Sequence, residues 1–271
     1  RAPRDVAGLL ARARAVLPGG CVSGFHLPDD LAVIMAAGQG SKIYDRSGNE
    51  YIDYVLGSGP LVLGHAHPAV VQAVMAQAPK GSTFYAPNEP AVLLAEKICK
   101  QVPCAEKVRF TASGSEATFF AMRLARAFTG RDKILKTEGG FHGTTDYALM
   151  SFAPTREVPY PEAVPDSDGI PAAVKAQVLI GPYNDLETMT ALIERHRHEL
   201  AGVIVEPLQR FLTPKPGFLE GLREVTRRHG VLLIYDEVVT GFRLALGGAQ
   251  EYYGVVPDLA AYGKTISGGY T

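Results

Sequence analysis

Val231-Leu232-Leu233-Ile234-Tyr235-Asp236-Glu237-Val238-Val239-Thr240-Gly241 is the stretch whose reading decides the fold. From Val231 to Tyr235 the run is continuously apolar, without the polar alternation of a half-exposed strand, so it reads as a strand covered on both faces. Asp236 falls at its carboxyl end. Working outward, similar short strands are expected at Lys107–Phe110, Lys133–Lys136, Val178–Ile180 and Gly202–Val205, separated by amphipathic helical stretches. Strands alternating with helices in this way build an α/β fold, a mostly parallel sheet with helices on both faces.

Helix ends are marked locally. Pro68 opens one helix, another runs from Asn88-Glu89-Pro90 to Val102-Pro103, and Asn184 with Glu187 three residues on predicts a capping-box start. Gly230 after Arg227-Arg228-His229 predicts a left-handed stop. The arginine-rich start, Arg1 to Arg14, has the composition of a transit peptide. It runs straight into Leu17-Pro18-Gly19-Gly20, however, which reads as a helix with Asp5 near its start and a Pro/Gly stop. Residues 41–55 alternate β-formers around Arg46-Ser47-Gly48-Asn49 and read as a hairpin. The proline-rich, acidic segment 153–171 is too long for a routine connection; an active-site lid and a surface excursion both fit it.

A chain of 271 residues suffices for one large α/β domain with a core, or a domain plus an appendage. The net charge of -1, with basic residues scattered, gives no electrostatic footprint for nucleic acid. No apolar run approaches the roughly 18 residues a membrane-spanning helix needs. Cys21, Cys99 and Cys104 lack metal-ligand or CxxC spacing and read as reduced thiols, which points to a cytoplasmic protein. His65 and His67 without further ligands make a weak metal site, and Pro68 makes them a helix entry; no metal is expected.

Three stretches carry chemistry. Ser113-Gly114-Ser115-Glu116 lies between an expected strand and a helix, where small residues let backbone N–H groups approach a phosphate; a serine there also serves as an ordinary N-cap. Asp236 stands at the sheet edge where ligands of open α/β sheets bind. Lys264, in Asp258-Leu-Ala-Ala-Tyr-Gly-Lys264-Thr-Ile-Ser-Gly-Gly, lies between an apolar stretch and a glycine loop. Pyridoxal 5'-phosphate requires this set: an amine to join its aldehyde, a carboxylate to keep its ring nitrogen protonated, and backbone donors for its phosphate.

In this order and with these neighbours, the three stretches resemble the class III aminotransferases, most closely the glutamate-1-semialdehyde 2,1-aminomutase branch. Gly64-His65-Ala66-His67-Pro68, Phe141-His142-Gly143, Pro182-Tyr183-Asn184-Asp185, Val205-Glu206-Pro207 and Pro214-Lys215-Pro216-Gly217 extend the resemblance along nearly the whole chain. It implies an aminotransferase-like (fold type I) architecture. Residues 1–66 would be part of a small α+β domain and 67–271 the large cofactor-binding domain, with its C-terminal part missing after the lysine.

The resemblance further implies Lys264 and Asp236 as catalytic residues. Ser113, Gly114, Ser115, Phe141, His142, Glu206 and Val238 join them around pyridoxal phosphate, Val238 and Phe141 lying against opposite faces of the ring. On the substrate side it implies His26 and Ser58. His26 stands where the aminomutases carry an arginine for a substrate carboxylate, Gly59 stands at their tryptophan, and the asparagine expected after Glu206-Pro207 is absent. These departures favour an aminotransferase acting on a small-molecule amino donor and a keto acceptor. The aminomutase, and an inert cofactor-binding fragment, are the alternatives. The full-length protein is expected to be a homodimer.

Overall fold

The computed structural model describes residues 6–22 and 28–270. Contacts group residues 1–83 into one compact unit and 84–271 into another.

In the first unit, α1 (Val6–Val16) is followed by a 3-10 turn at Pro18–Gly20; the expected Asp5 start lies outside the described residues. Strands β1 (Met35–Gln39), β2 (Lys42–Asp45) and β3 (Glu50–Ile52) form an antiparallel sheet in that order. The expected hairpin is β2 and β3, with Lys42 opposite Ile52 and Tyr44 opposite Glu50. Its turn is set by Asp45, whose carboxylate accepts from the Asn49 backbone N–H at 2.9 Å and side-chain amide at 2.8 Å. Helix α2 (Pro68–Gln77) begins with Pro68 after the N-cap His67, while His65 Nε2 is 2.7 Å from Asp53 Oδ2, a structural hydrogen bond.

The second unit opens with α3 (Glu89–Gln101), capped by Asn88, and α4 (Gly114–Thr129). Between them Lys107–Phe110 is not a strand, contrary to the sequence pattern. No neighbouring strand pairs with it among the described residues, and a β segment without a ladder has little to hold it extended. Arg109 instead stacks 4.0 Å over the Phe120 ring.

The chain then supplies β4 (Lys133–Thr137), α5 (Ala172–Lys175), β5 (Val178–Gly181), α6 (Leu186–His196), β6 (Leu200–Val205), α7 (Phe218–His229), β7 (Leu232–Glu237), α8 (Ala249–Tyr253) and β8 (Leu259–Tyr262). The strands form one parallel sheet in the order β5-β4-β6-β7-β8. Strand periodicity divides the core: Leu135, Val203, Val205, Leu233 and Tyr235 pack against α6 and α7, whereas Ile134, Ile204 and Ile234 pack against Met122 and Ala125 of α4. Helices thus cover both faces, and the apolar strand runs are explained.

Two further expectations are adjusted. The cap of α6 is Asp185, which accepts from Thr188 N at 3.0 Å. Asn184 sits one residue earlier at φ 66, its side chain bonded to Lys215 N and Thr213 O. Asparagine tolerates the left-handed region that this turn requires. Segment 153–171 is neither a loose excursion nor a free lid: Pro161 O accepts from Ile180 N on the sheet's edge strand, Asp166 accepts from Phe152 N and Ala153 N, and Ala163 is buried with Met150, Val178 and Ile180. Gly230 closes α7 at φ 59 as expected.

Candidate active site

Because the sheet is parallel, the carboxyl ends of β4, β6, β7 and β8 lie along one edge, carrying Thr137, Val205, Glu237 and Tyr262. The N-terminus of α4 is brought to the turn after β7 by close backbone approach. A Cβ placed on Gly114 would lie 3.0 Å from Val238 Cγ2, and one on Gly263 would lie 3.2 Å from Val238 Cγ1 and 3.6 Å from Gly114 Cα. Val238 is therefore gripped between Gly114 and Gly263. The helix N-terminus, the Asp236 turn and the residue preceding Lys264 meet there.

Asp236 is buried, 4% exposed; Oδ1 accepts from Val238 N at 3.0 Å, and Oδ2 lies 2.8 Å from His142 Nδ1. Burial lowers the His142 pKa despite the attraction of Asp236, so the ring is neutral and Nδ1–H donates to the carboxylate. Its Nε2 is buried without a hydrogen-bond partner among the described residues. Glu206 accepts from Phe141 N at 3.0 Å; burial, reinforced by the charge of Asp236, pushes its carboxyl up to about 7. Lys264, at φ 49, has its amine pKa lowered by burial, with Arg243 adding to the effect and Asp236 and Glu206 opposing it.

Ser113 is the N-cap of α4: its Oγ accepts from Glu116 N at 3.2 Å, and Glu116 Oε2 accepts from Ala112 N at 2.8 Å. The backbone N–H groups of Gly114 and Ser115 belong to the first turn, which has no intrahelical acceptors for them, and there the helix dipole favours an anion. The loop bearing Phe141 and His142 is stitched to the same helix, Thr118 Oγ1 donating to His142 O at 2.6 Å and Ser115 Oγ accepting from Thr144 N at 3.3 Å. Gly143, at φ 96, is needed because a Cβ there would overlap Ser115.

Sequence reasoning missed the supports of this loop. Lys136 is buried and donates to Ala148 O at 3.1 Å and to Met150 O; burial brings its pKa down to about 8. Gln209 accepts from Thr137 Oγ1 at 2.6 Å and donates to Glu138 O at 2.8 Å. A lysine inside an apolar strand was the available signal for the first; nothing in the local pattern marks the second.

These residues fit pyridoxal phosphate. An acceptor-only carboxylate at the sheet edge suits a ring N–H, a helix N-terminus opened by Gly114 suits a phosphate, and a burial-lowered amine suits an aldehyde. Val238 and the half-exposed Phe141, whose ring packs edge-on against Phe152 at 4.9 Å, are apolar groups of the kind a planar ring packs against. Of the residues expected on the substrate side, His26 lies outside the described residues and Ser58 lies in the first unit at φ 72. Among the described residues no group of three or more His, Cys, Asp or Glu is gathered for a metal, and no helix is long and apolar enough to cross a membrane.

The family model "Aminotransferase class-III" matches residues 27–271, and the chain belongs to that family. Among relatives, it is 48% identical to the glutamate-1-semialdehyde 2,1-aminomutase of Syntrophomonas wolfei, covering 96% of this chain and 61% of that protein. It is likewise 48% identical to the enzyme of the same name from Methanothermobacter thermautotrophicus, covering 97% and 62%. Among solved structures, an omega-transaminase from Sphaerobacter thermophilus superposes with a TM-score of 0.93 at 41% identity, over 100% of this chain and 63% of that one. A glutamate-1-semialdehyde aminomutase from Pseudomonas aeruginosa gives 0.84 at 29% identity, over 97% and 58%. The chain thus spans about three fifths of the length of these relatives.

Proposed function

We propose that the whole protein is a pyridoxal-phosphate-dependent aminotransferase, moving an amino group between an amine or amino acid and a keto acid or aldehyde. The observation that carries this reading is the gathering of Lys264, the Asp236–His142 pair and the open α4 N-terminus around Val238. A transaminase among the solved relatives, 34% identical, has the cofactor bound. When bound, pyridoxal phosphate supplies an aldehyde for amines and a ring that takes up electrons as a proton leaves the substrate's α-carbon.

The chain's own residues do the rest. Lys264 would hold the group through its amine, which burial helps to keep neutral, and the same amine would serve as general base for the α-proton. Asp236 would hold the proton on the ring nitrogen, and the His142 N–H orients that carboxylate. Ser113, Gly114 and Ser115 would receive the phosphate and Val238 and Phe141 would flank the ring, while Glu206 fixes the Phe141 backbone. His26 and Ser58 are kept, from the family resemblance, as the proposed substrate-side residues. We assign the protein to the cytoplasm as a homodimer, with residues 1–66 in a small domain and 67–271 in the large one.

A second reading, the aminomutase, is favoured by the 48% identity to proteins of that name. The whole protein, loaded with cofactor, distinguishes them. Transamination of an amine to a keto acceptor exceeding isomerisation of glutamate 1-semialdehyde supports the transferase. Efficient 5-aminolevulinate formation without transfer to outside acceptors supports the aminomutase. A cofactor absorbance that borohydride reduces but no amino donor converts would leave only binding.

A further inference from the structure

Glu237, Thr240, Gly241 and Arg243 follow Asp236 directly, yet none has a part in the chemistry above. Glu237 is fully buried. Its Oε2 accepts from Thr240 Oγ1 at 2.8 Å and Ala249 N at 2.6 Å; its Oε1 accepts from Gln250 N at 3.2 Å, Gln250 Nε2 at 3.1 Å and Tyr262 OH at 3.4 Å. Every partner is a donor, which is the complement of an ionised, acceptor-only carboxylate. Gln250 Nε2 also donates to Tyr262 OH at 3.0 Å. Two glycines make room: a Cβ on Gly241 would overlap the Tyr262 ring, and one on Gly248 would overlap the Glu237 carboxylate.

Arg243 makes a second tie. Its Nε donates to Val239 O at 2.8 Å and its Nη2 to Thr265 Oγ1 at 3.1 Å. Lys264 is therefore bracketed by one seven-residue turn, 237–243: Tyr262 is held by Glu237, Gly263 is packed on Val238, and Thr265 is held by Arg243. Lys264 itself has φ 49, a left-handed conformation that a residue other than glycine keeps only where its surroundings impose it.

We propose that Glu237 and Arg243 are positioning residues for Lys264, acting through Tyr262 and Thr265 to impose the backbone turn that holds its amine in the partly buried site. This rests on the assignment of Lys264 as the reacting amine. Among the described residues, Asp236, Arg243 and Glu206 are the charges that act on that amine, so the probes must leave charge unchanged.

Tyr262→Phe removes the hydroxyl that Glu237 and Gln250 share, and Thr265→Val the hydroxyl that Arg243 holds, neither altering charge, whereas Thr240→Val removes a Glu237 donor that does not reach the lysine turn. Lys264 is labelled with acetic anhydride across pH in the cofactor-free whole protein, and its peptide is quantified by mass spectrometry. The midpoint is expected to lie below that of an ordinary lysine in the parent, and to rise toward it in Tyr262→Phe and Thr265→Val but not in Thr240→Val. With cofactor, kcat should fall about ten-fold in the first two while KM stays within about two-fold. Unchanged midpoints in both, an equal shift in Thr240→Val, or a parent midpoint already that of a surface lysine would overturn the clamp. Absence of turnover would instead count against the proposed activity, since the labelling reads Lys264 without it.

Discussion

At the residue scale, burial separates the roles of ionisable groups that share one edge. Glu206, with one hydrogen bond and Asp236 as a neighbour, is held up to about 7 against 4.5 for a free glutamate. The folded chain therefore binds more protons than the unfolded one between those values, and stability falls as pH rises from about 4.5 to about 7, by about 3 kcal/mol. Glu206→Gln, which can still accept from Phe141 N, is expected to flatten that slope and leave the variant the more stable at pH 8; denaturant titrations at pH 5 and pH 8 check it. Asp236→Asn should retain some cofactor and lose about a hundred-fold or more in half-reaction rate, because an amide cannot hold a pyridinium proton and must also re-pair with His142. Stopped-flow rates equal to the parent's would remove Asp236 from the mechanism. Borohydride reduction should attach the cofactor to Lys264; a peptide map placing it on Lys42 or Lys107 would unseat that residue.

At the element scale, α4 does two jobs at one end. The Ser113 hydroxyl closes the cap, so Ser113→Ala should cost about 1 kcal/mol of stability, as lost N-caps do. Gly143→Ala should cost more, about 2 kcal/mol, since it forces a side chain both into Ser115 and onto a left-handed backbone. Thermal unfolding of the two variants tests the order; a Gly143→Ala protein as stable as the parent would show that the loop relaxes freely. Strands β4 to β7 were legible because short, largely apolar runs alternating with helices are what a two-sided sheet demands, and the α4 and α7 ends because caps are chosen by residues within a few positions. Lys107–Phe110 has the residues of a strand but lacks the neighbour that would make it one, and the α6 cap moved one residue because Asn184 was wanted by Lys215 and Thr213, some thirty positions on.

At the scale of the whole molecule, apolar surface remains open. Phe211 is 98% and Phe128 77% exposed, with Leu124 and Phe110 also about half exposed. The isolated 271-residue chain is therefore expected to self-associate and to bind an apolar dye at micromolar concentration. Light scattering that found a monodisperse, dye-free monomer would contradict this. The amino-acid sequence by itself determined the α/β alternation, the caps of α3, α4 and α7 and the three chemical groups, since these follow from side-chain sterics and hydrogen bonds a few residues apart. Only the tertiary structure decided that Asp236 would meet His142, 94 residues away, and that Phe141 would lean on Glu206, 65 away. Strand order brings those partners together, and desolvation by the whole surrounding mass of atoms, which no local pattern records, moves the Glu206 and Lys264 protons.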